Sequence, residues 1–220
     1  LYGKLRDQKA YKRHPGSLFR VFVRLGFRKK VNSTKKKSKH TGTYNTPSEL
    51  GVKWQLDVKY VPTACHSAKE QEQFYQYTIM EEASRKRFIY AYQEQSSYST
   101  VDFVKKAIIW FGYAPNEIQT DCGSEFTHTA KTKRVHPFDV FCNLYNIHHH
   151  VLRPRTPWHN GKVERSHRND QERFYNHLSF YSFDDLQKQM KQYLYRANNI
   201  PMAALGWKSP NQKHRELGGC

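Results

Sequence analysis

The chain has 220 residues, of which 37% are hydrophobic, and it carries a formal net charge of +18. This length and hydrophobic content are enough to bury the core of one sizeable domain with an appendage. The excess of positive charge favours a polyanionic partner, DNA or RNA first. A ribosomal-type protein, or a merely soluble basic protein, would have the same charge.

The sequence shows neither a signal peptide nor an apolar run of membrane length, so we expect no membrane partner. Its four cysteines have no close pair spacing, which makes a zinc site unlikely by pattern and favours a reduced protein. We therefore expect a cytoplasmic, bacterial protein that associates with the nucleoid when it is bound to DNA.

Positive charge is concentrated at the start of the chain, where residues 1–50 hold fourteen Lys and Arg against two acids. Residues 18–25 have apolar side chains at helical spacing and end at Gly26, which predicts a short helix. Two interpretations stay open. Residues 1–28 form a partial helix-turn-helix-like DNA-binding segment, or the helix packs on the main domain.

Residues 29–50 have the composition of a basic linker that contains Lys35, Lys36 and Lys37. A run of lysines is usually a solvated tether. In a DNA-binding protein it can also follow phosphates without reading the base sequence.

The main domain is expected over residues 51–215, with a tail at 216–220. In residues 52–60 every second residue is apolar, which predicts a strand with Asp57 on its polar face beside Gln55 and Lys59. Strands at 74–80 and 88–92 would complete an antiparallel meander. A helix with a capping-box pattern at Ser99 and Asp102 would then run to residue 111.

The remaining elements are predicted as a strand over 116–120, a helix over 138–145, a strand over 147–151, a helix carrying Glu164, and a last helix over 183–198. The resulting order is β-β-β-α-β-α-β-α-α.

Three carboxylates on separate elements form the candidate site: Asp57 within the first strand, Asp121 at the end of the fourth, and Glu164 one turn into a helix. Each alone would be an ordinary surface, turn or helix-start residue. Together they offer the oxygen ligands that Mg²⁺ or Mn²⁺ prefers. Phosphodiester chemistry often uses two such ions. We therefore predict a site for Mg²⁺ or Mn²⁺, with two ions.

Three segments around these acids resemble the signature segments of the integrase-core family, which comprises bacterial insertion-sequence transposases related to retroviral integrases. They are Trp54-Gln-Leu-Asp-Val58, Thr120-Asp-Cys-Gly-Ser-Glu-Phe126 and Thr156-Pro-Trp-His-Asn-Gly-Lys-Val-Glu-Arg165. The resemblance covers roughly residues 50–215, and the last two segments are quite specific.

The resemblance implies an α/β, ribonuclease-H-like fold with a mixed five-stranded sheet flanked by helices, here with a basic N-terminal extension. It also implies metal-dependent DNA cleavage at transposon ends and strand transfer into target DNA. In the family's terms Asp57 and Asp121 share one metal ion, and Asp57 and Glu164 hold the other. Enzymes of this kind usually act as homo-oligomers on paired DNA ends, and the sequence is silent on a helper ATPase.

The sequence departs from the family in two places. Between Asp121 and Glu164 lie 42 residues, about two helical turns more than usual, and we place the excess in residues 127–137. Related enzymes often carry a basic residue two turns after the glutamate, where this chain has Gln171. Arg168 stands one turn after Glu164.

DNA contacts are expected around Glu164. Arg168 shares its helix face and is assigned to a DNA phosphate, with an ion pair to Glu164 as the alternative. Lys162 and Arg165 could contact phosphate or be solvated. On the preceding loop, His159 could meet DNA, and Trp158 could stack on a base or pack against the helix.

Three consecutive histidines and Glu125 are further candidate residues near the predicted metal site. Only His148 and His150 of the three consecutive histidines can share a strand face, which favours strand-edge residues over metal ligands. Glu125 could tune the metal site or cap the loop.

Three functions follow from these features: a DDE-type transposase, a nuclease of the same fold that cuts without joining, and a non-catalytic DNA-binding protein. The presence of all three acids in intact contexts argues against the third.

Overall fold

The fold is defined by a computed structural model that describes residues 1–27, 45–67, 72–128, 132, 134–152 and 161–219. The helices are α1 (Tyr2–Lys9), α2 (Pro15–Arg24), α3 (Ser97–Phe111), α4 (Pro137–Leu144), α5 (Gly161–Arg173), α6 (Phe183–Asn198) and α7 (Pro210–Glu216). The strands are β1 (Lys53–Tyr60), β2 (Tyr75–Glu81), β3 (Arg87–Tyr92), β4 (Glu117–Thr120) and β5 (His148–Val151).

One mixed sheet of five strands, in the order β3-β2-β1-β4-β5, organises the chain. Strands β1, β2 and β3 form the predicted antiparallel meander. Strand β4 runs parallel to β1, and β5 runs parallel to β4. The predicted mixed five-stranded sheet flanked by helices is confirmed. Strand β1 is the central strand, with β2 hydrogen-bonded on one side and β4 on the other.

Helices cover both faces of the sheet. Trp54 and Leu56 of β1 point into a core formed with α3 and α4. The alternate residues of β1 point the other way, towards α5, and Gln55 is fully buried there. The face of β1 that carries Asp57 is therefore polar, as its sequence predicts, but it is covered by a helix and is not open to solvent.

The outer edge of β3 is closed by side chains of α6. The amide of Asn198 accepts a hydrogen bond from the backbone N–H of Arg87 at 3.0 Å and donates to the Arg87 carbonyl at 2.8 Å. Gln187 makes the same pair of contacts with Ala91. Both amides replace the hydrogen bonds that another strand would make, which protects this edge from unwanted pairing.

Helix α3 begins one turn earlier than the capping pattern predicts. Its N-cap is Ser96, whose hydroxyl accepts a hydrogen bond from the Ser99 N–H at 3.1 Å. The prediction of Ser99 and Asp102 as the cap is therefore wrong, because the first of several nearby serines caps the helix. Asp102 instead accepts a hydrogen bond from Tyr92 and pairs with Lys106.

The predicted elements do not include two short helices, α1 and α7. Gly3 of α1 lies against Pro201, and the ring of Tyr2 lies 4.5 Å from that of Trp207. Helix α7 starts at a Ser209 capping box and ends at Glu216. Helix α2 confirms the helix predicted near residue 18, and none of its residues is buried. The proposed domain limits and the DNA-binding role of residues 1–28 stay predictions.

Within the described ranges, no helix is both long and apolar enough to cross a membrane.

A buried ion pair attaches α5 to the sheet. Both guanidinium Nη atoms of Arg87 on β3 meet the carboxylate of Asp170 on α5, at 2.9 and 3.1 Å. Gln76 and Tyr193 donate two further hydrogen bonds to the same carboxylate. Burial acts to raise the pKa of Asp170, but the charge of Arg87 and these donors hold it below its ordinary value.

Replacing Asp170 with Asn should destabilise the fold by about 3–5 kcal/mol, because it leaves the buried Arg87 without a counter-charge. Urea unfolding at neutral pH measures the change. The matched control is Glu172→Gln on the same helix, which removes an exposed i,i+4 pair with Arg168 and should cost about 0.5 kcal/mol or less. Equal losses in the two variants would contradict the structural role of the buried pair.

Candidate active site

Asp57 lies on β1, and Asp121 immediately follows the neighbouring parallel strand β4. The β1–β4 register pairs Lys53 with Glu117 and Gln55 with Gln119. Continued by two residues, this register places Asp57 level with Asp121, immediately after β4. The side chain of Asp57 is largely covered, with 16% of it exposed, whereas Asp121 is exposed.

The loop after β4 has a shape that depends on Gly123. The Gly123 N–H donates to Oδ1 of Asp121 at 3.0 Å. A Cβ atom at Gly123 would lie 2.6 Å from the carboxylate of Glu125, so a side chain cannot be added without moving that group. Glu125 is buried and accepts a hydrogen bond from Gln95 at 2.6 Å. The sequence indicates a tight turn here, and the structure adds the close approach of Glu125.

A histidine of β5 supports the end of β4. His149 lies 2.9 Å from the Thr120 hydroxyl through Nε2 and 2.6 Å from Asp139 through Nδ1. Burial lowers the pKa of His149, so the ring is neutral near pH 7. Because a carboxylate only accepts, Nδ1–H donates to Asp139, and Nε2 lies within hydrogen-bond distance of the Thr120 hydroxyl. His149 is therefore tied to strand and helix neighbours, and His148 and His150 face Glu117 on the other side of the strand.

The start of α5, which carries Glu164, is held by the buried polar face of the sheet. Gln55 accepts a hydrogen bond from the Val163 N–H at 3.1 Å and donates from its own amide to Glu82. The other oxygen of Glu82 meets the Lys162 ammonium at 2.9 Å. These contacts hold the two residues that immediately precede Glu164, whose own side chain is exposed.

The three predicted acids interact electrostatically. Burial, followed by the charge of Asp121 and then that of Glu164, raises the pKa of Asp57 from 3.8 to about 7, and Glu125 adds to the effect. Burial and Asp121 also raise the pKa of Glu164. Each acid is thus close enough to oppose ionisation of another, as expected of carboxylates gathered at one site.

His167 contacts the same site and was not predicted. Its Nδ1 lies 3.4 Å from Oδ2 of Asp57, and its Nε2 lies 3.1 Å from the Thr78 hydroxyl. Burial lowers the pKa of His167 to about 4, so the ring is neutral near pH 7 and the approach to Asp57 is not an ion pair. Its position one turn after Glu164 on the sheet side is the sequence signal that could have identified it.

Strand β1 places the ammonium group of Lys59 beside Gln171, the residue two turns after Glu164. Gln171 accepts a hydrogen bond from the Lys59 ammonium at 3.5 Å. Lys59 follows Asp57 by two residues on the same strand face, and its ammonium also lies 4.4 Å from the centre of the Tyr175 ring. A cation therefore stands beside the residue where related enzymes often carry a basic side chain.

The residues predicted to contact DNA lie in different surroundings. Arg168 is exposed and pairs with Glu172 at 3.1 Å, not with Glu164. Arg165 is exposed. Lys162 is half-buried and held by Glu82, so a phosphate contact would have to compete with that pair. The remaining predicted contacts lie outside the described residues: Trp158, His159, Lys35, Lys36 and Lys37.

The candidate site offers carboxylate oxygens, which are the type of ligand that a hard divalent cation prefers. Asp57, Asp121 and Glu164 supply carboxylate oxygens, and their mutual repulsion is what such a cation would relieve. Within the described ranges, no three His, Cys, Asp or Glu side chains are arranged to hold a metal ion. The three carboxylates thus interact electrostatically, but their oxygens are not close enough together to form a set of metal ligands.

The mixed sheet order, with acids on β1, after β4 and on a helix covering the sheet, defines a ribonuclease-H-like α/β protein. Residues 47–157 match the integrase core domain family, and residues 145–210 match a second integrase core domain profile. The first match covers half of the chain, so the chain belongs to the integrase core domain family. The family resemblance seen in the sequence is therefore confirmed.

A curated relative supports the same family. The chain is 30% identical over 176 residues to ORF3 of Spiroplasma virus SpV1-C74, which carries a provisional integrase name. The match takes in 76% of this chain and 48% of the relative, so the chain spans about half the length of the curated relative that it matches.

Solved structures share the fold. The magnesium complex of the HTLV-2 integrase catalytic core domain, in a trimeric form, has a TM-score of 0.56 at 20% identity and covers 76% of this chain and 97% of its own. A chain of the simian T-cell lymphotropic virus intasome, solved in complex with PP2A regulatory subunit B56 gamma, has a TM-score of 0.60 at 16% identity and covers 96% of this chain and 73% of its own. At these identities the likeness establishes the fold alone.

Replacing Gln55 with Met should destabilise the protein by about 1–3 kcal/mol, because it leaves the buried Val163 N–H and one oxygen of Glu82 without their partner. The Val163 amide should also exchange its hydrogen faster, which amide exchange measures residue by residue. Exchange as slow as in the wild type would show that Gln55 does not anchor α5.

The raised pKa of Asp57 predicts a pH-dependent penalty in metal-free protein. The folded state holds this proton more tightly than the unfolded state, so stability is lost as pH rises from about 4 to about 7. Asp57→Asn removes the penalty and should be more stable than the wild type at pH 8, by on the order of 4 kcal/mol. The two should converge near pH 4. A difference that stays constant with pH would contradict the assignment.

Proposed function

We propose that this chain is the catalytic core of a DDE-type transposase or integrase, which cleaves DNA at the ends of a mobile element and joins those ends to target DNA. The observation that carries the proposal is the placement of Asp57, Asp121 and Glu164 on β1, after β4 and on α5, with electrostatic coupling among them. Membership of the integrase core domain family makes polynucleotidyl transfer the reaction to test first.

The three acids are assigned as ligands of Mg²⁺ or Mn²⁺, with two ions. When bound, such ions activate the attacking oxygen and stabilise the leaving oxygen of a phosphodiester. Asp57 would contribute to both positions, as the resemblance to the integrase-core family implies. The proposed nucleophiles are water for cleavage and a DNA 3′-hydroxyl for joining, so no serine or tyrosine of the chain needs to form a covalent intermediate.

DNA is the proposed partner. Arg168 and Arg165 are exposed on the helix that carries Glu164, and Lys59 adds a cation beside Gln171. The proposed contacts extend to Lys162, Trp158 and His159 and to the lysine run at Lys35, Lys36 and Lys37. A homo-oligomer on paired DNA ends is proposed as well, since the solved neighbours include a trimeric form and an intasome. A location at the bacterial nucleoid would follow from DNA binding.

Strand transfer with oligonucleotides that carry the element's ends tests the proposal. Asp57→Asn, Asp121→Asn and Glu164→Gln should each lower joining by about 10³-fold or more, roughly 4 kcal/mol of transition-state stabilisation, while DNA binding persists. Chelation of divalent ions should abolish joining in the wild type. The matched control is Asp184→Asn, which removes an exposed carboxylate in the first turn of α6 and should leave joining unchanged.

The products separate the alternatives. Joined DNA supports transposition, cleavage alone indicates a nuclease of the same fold, and binding alone indicates a non-catalytic protein. Joining that persists in Asp57→Asn would overturn the assignment of the metal site.

A further inference from the structure

A small cationic cavity lies between α5, the turn from β2 to β3, and the segment after α6. It has a volume of about 90 Å³, well above the roughly 10–15 Å³ that a single water molecule needs on the same measure. Five cationic side chains line it, and no carboxylate does: Arg85, Arg87, Lys162, Arg165 and Arg173. Asn169 adds an amide, and Met80 and Met202 form part of its apolar wall.

The positive charge of this cavity is only partly balanced. Arg87 pairs with the buried Asp170, and Lys162 pairs with Glu82. Within the described part of the chain, neither Arg165 nor Arg173 forms an ion pair with a carboxylate. The cavity therefore concentrates like charges that an anion would stabilise.

The backbone of Arg85 points to a specific use of its side chain. Arg85 has a φ of 60°, in the left-handed region that favours Gly or Asn, and its N–H closes the turn onto the Glu81 carbonyl at 2.8 Å. Arg85 places a long cationic side chain at a backbone position that favours Gly or Asn. Such a conformation at a cavity wall is a reason to look for a function.

The cavity lies away from the proposed reaction centre. With about 100° per residue, Arg165, Asn169 and Arg173 lie roughly 100–180° around α5 from Glu164. Glu164 and Arg168 share one flank of the helix, and the cavity is on the other. An anion bound in the cavity would therefore be separate from the phosphodiester that reacts.

We propose that this cavity binds a phosphate group, with Arg85, Arg165 and Arg173 as its main donors. Guanidinium groups match phosphate oxygens through paired hydrogen bonds, and three of them from two segments can surround one tetrahedral anion. In the protein acting on DNA, the phosphate is a backbone phosphate outside the reacting bond. That part of the inference rests on the proposed function, whereas the binding of phosphate itself does not.

Calorimetric titration of the full chain with inorganic phosphate, at constant ionic strength in chloride, tests the site. Saturable binding is expected, and Arg173→Gln and Arg165→Gln should each weaken it by about tenfold. The matched control is Arg196→Gln, which removes an exposed arginine of α6 outside the cavity and should not change phosphate affinity. Arg165 and Arg173 are exposed, so the two variants should fold as the wild type does. Absent binding, or equal weakening in Arg196→Gln, would overturn the proposal.

A second experiment distinguishes a DNA phosphate from a free phosphate anion as the ligand. The affinity for a DNA duplex, measured over a salt series, should lose about 0.9 from the magnitude of its logarithmic slope in Arg173→Gln. A reduced slope supports a DNA phosphate. An unchanged slope with phosphate binding intact overturns the DNA assignment and leaves a site for a free phosphate anion. Asp57→Asn should bind inorganic phosphate as the wild type does, so a failure of joining is distinguishable from a failure of this site.

Discussion

The structure depends on how one polar helix is fastened to a sheet. Helix α5 carries few apolar side chains, so hydrophobic burial alone does not fix its rotation. Two polar anchors do so instead. The Val163 N–H binds Gln55 near the start of the helix, and Asp170 binds Arg87 two turns later. Since a helix is rigid over this length, the two anchors determine the direction of Glu164, which lies between them. Buried polar contacts of this kind set position more than they add stability.

The placement of the three acids lowers the stability of the fold at the candidate site. Asp57 is covered on a central strand and lies near Asp121 and Glu164, so its ionised form is disfavoured by both burial and repulsion. A fold selected for stability alone would not gather these carboxylates. A divalent cation would reverse the sign of this unfavourable energy, because each acid that now repels the next would become one of its ligands. The neutral His167 lies 3.4 Å from Asp57 without supplying a positive charge to it.

Sequence patterns predict the parts of the fold that repeat along the chain. Alternation in β1 places Asp57 on the face opposite Trp54, and the meander and the order of the later elements follow from similar periodicities. Contacts between distant segments leave no such pattern. The Arg87–Asp170 pair, the Lys59–Gln171 contact and the approach of His167 to Asp57 join elements far apart in the sequence, so only the folded chain reveals them. Helices α1 and α7 escape prediction because each is one or two turns long and is held by particular contacts, not by an amphipathic stripe. The three acids were predictable because each lies in a recognisable local segment, although their roles stay predictions.

Helix α5 can serve two purposes because its period separates neighbouring residues by a large angle. Glu164 and Arg165 are adjacent in the chain but lie about 100° apart around the helix. The flank of Glu164 faces the other two acids, and the flank of Arg165 faces a cavity without carboxylates. The sheet side between the two flanks holds Val163, Ser166 and Asp170, all buried. A DNA strand that met both flanks would therefore be held by cations on one side of the helix while its reacting phosphate lay among the acids on the other. The rigid fastening of α5 to the sheet would then set the distance between the two contacts.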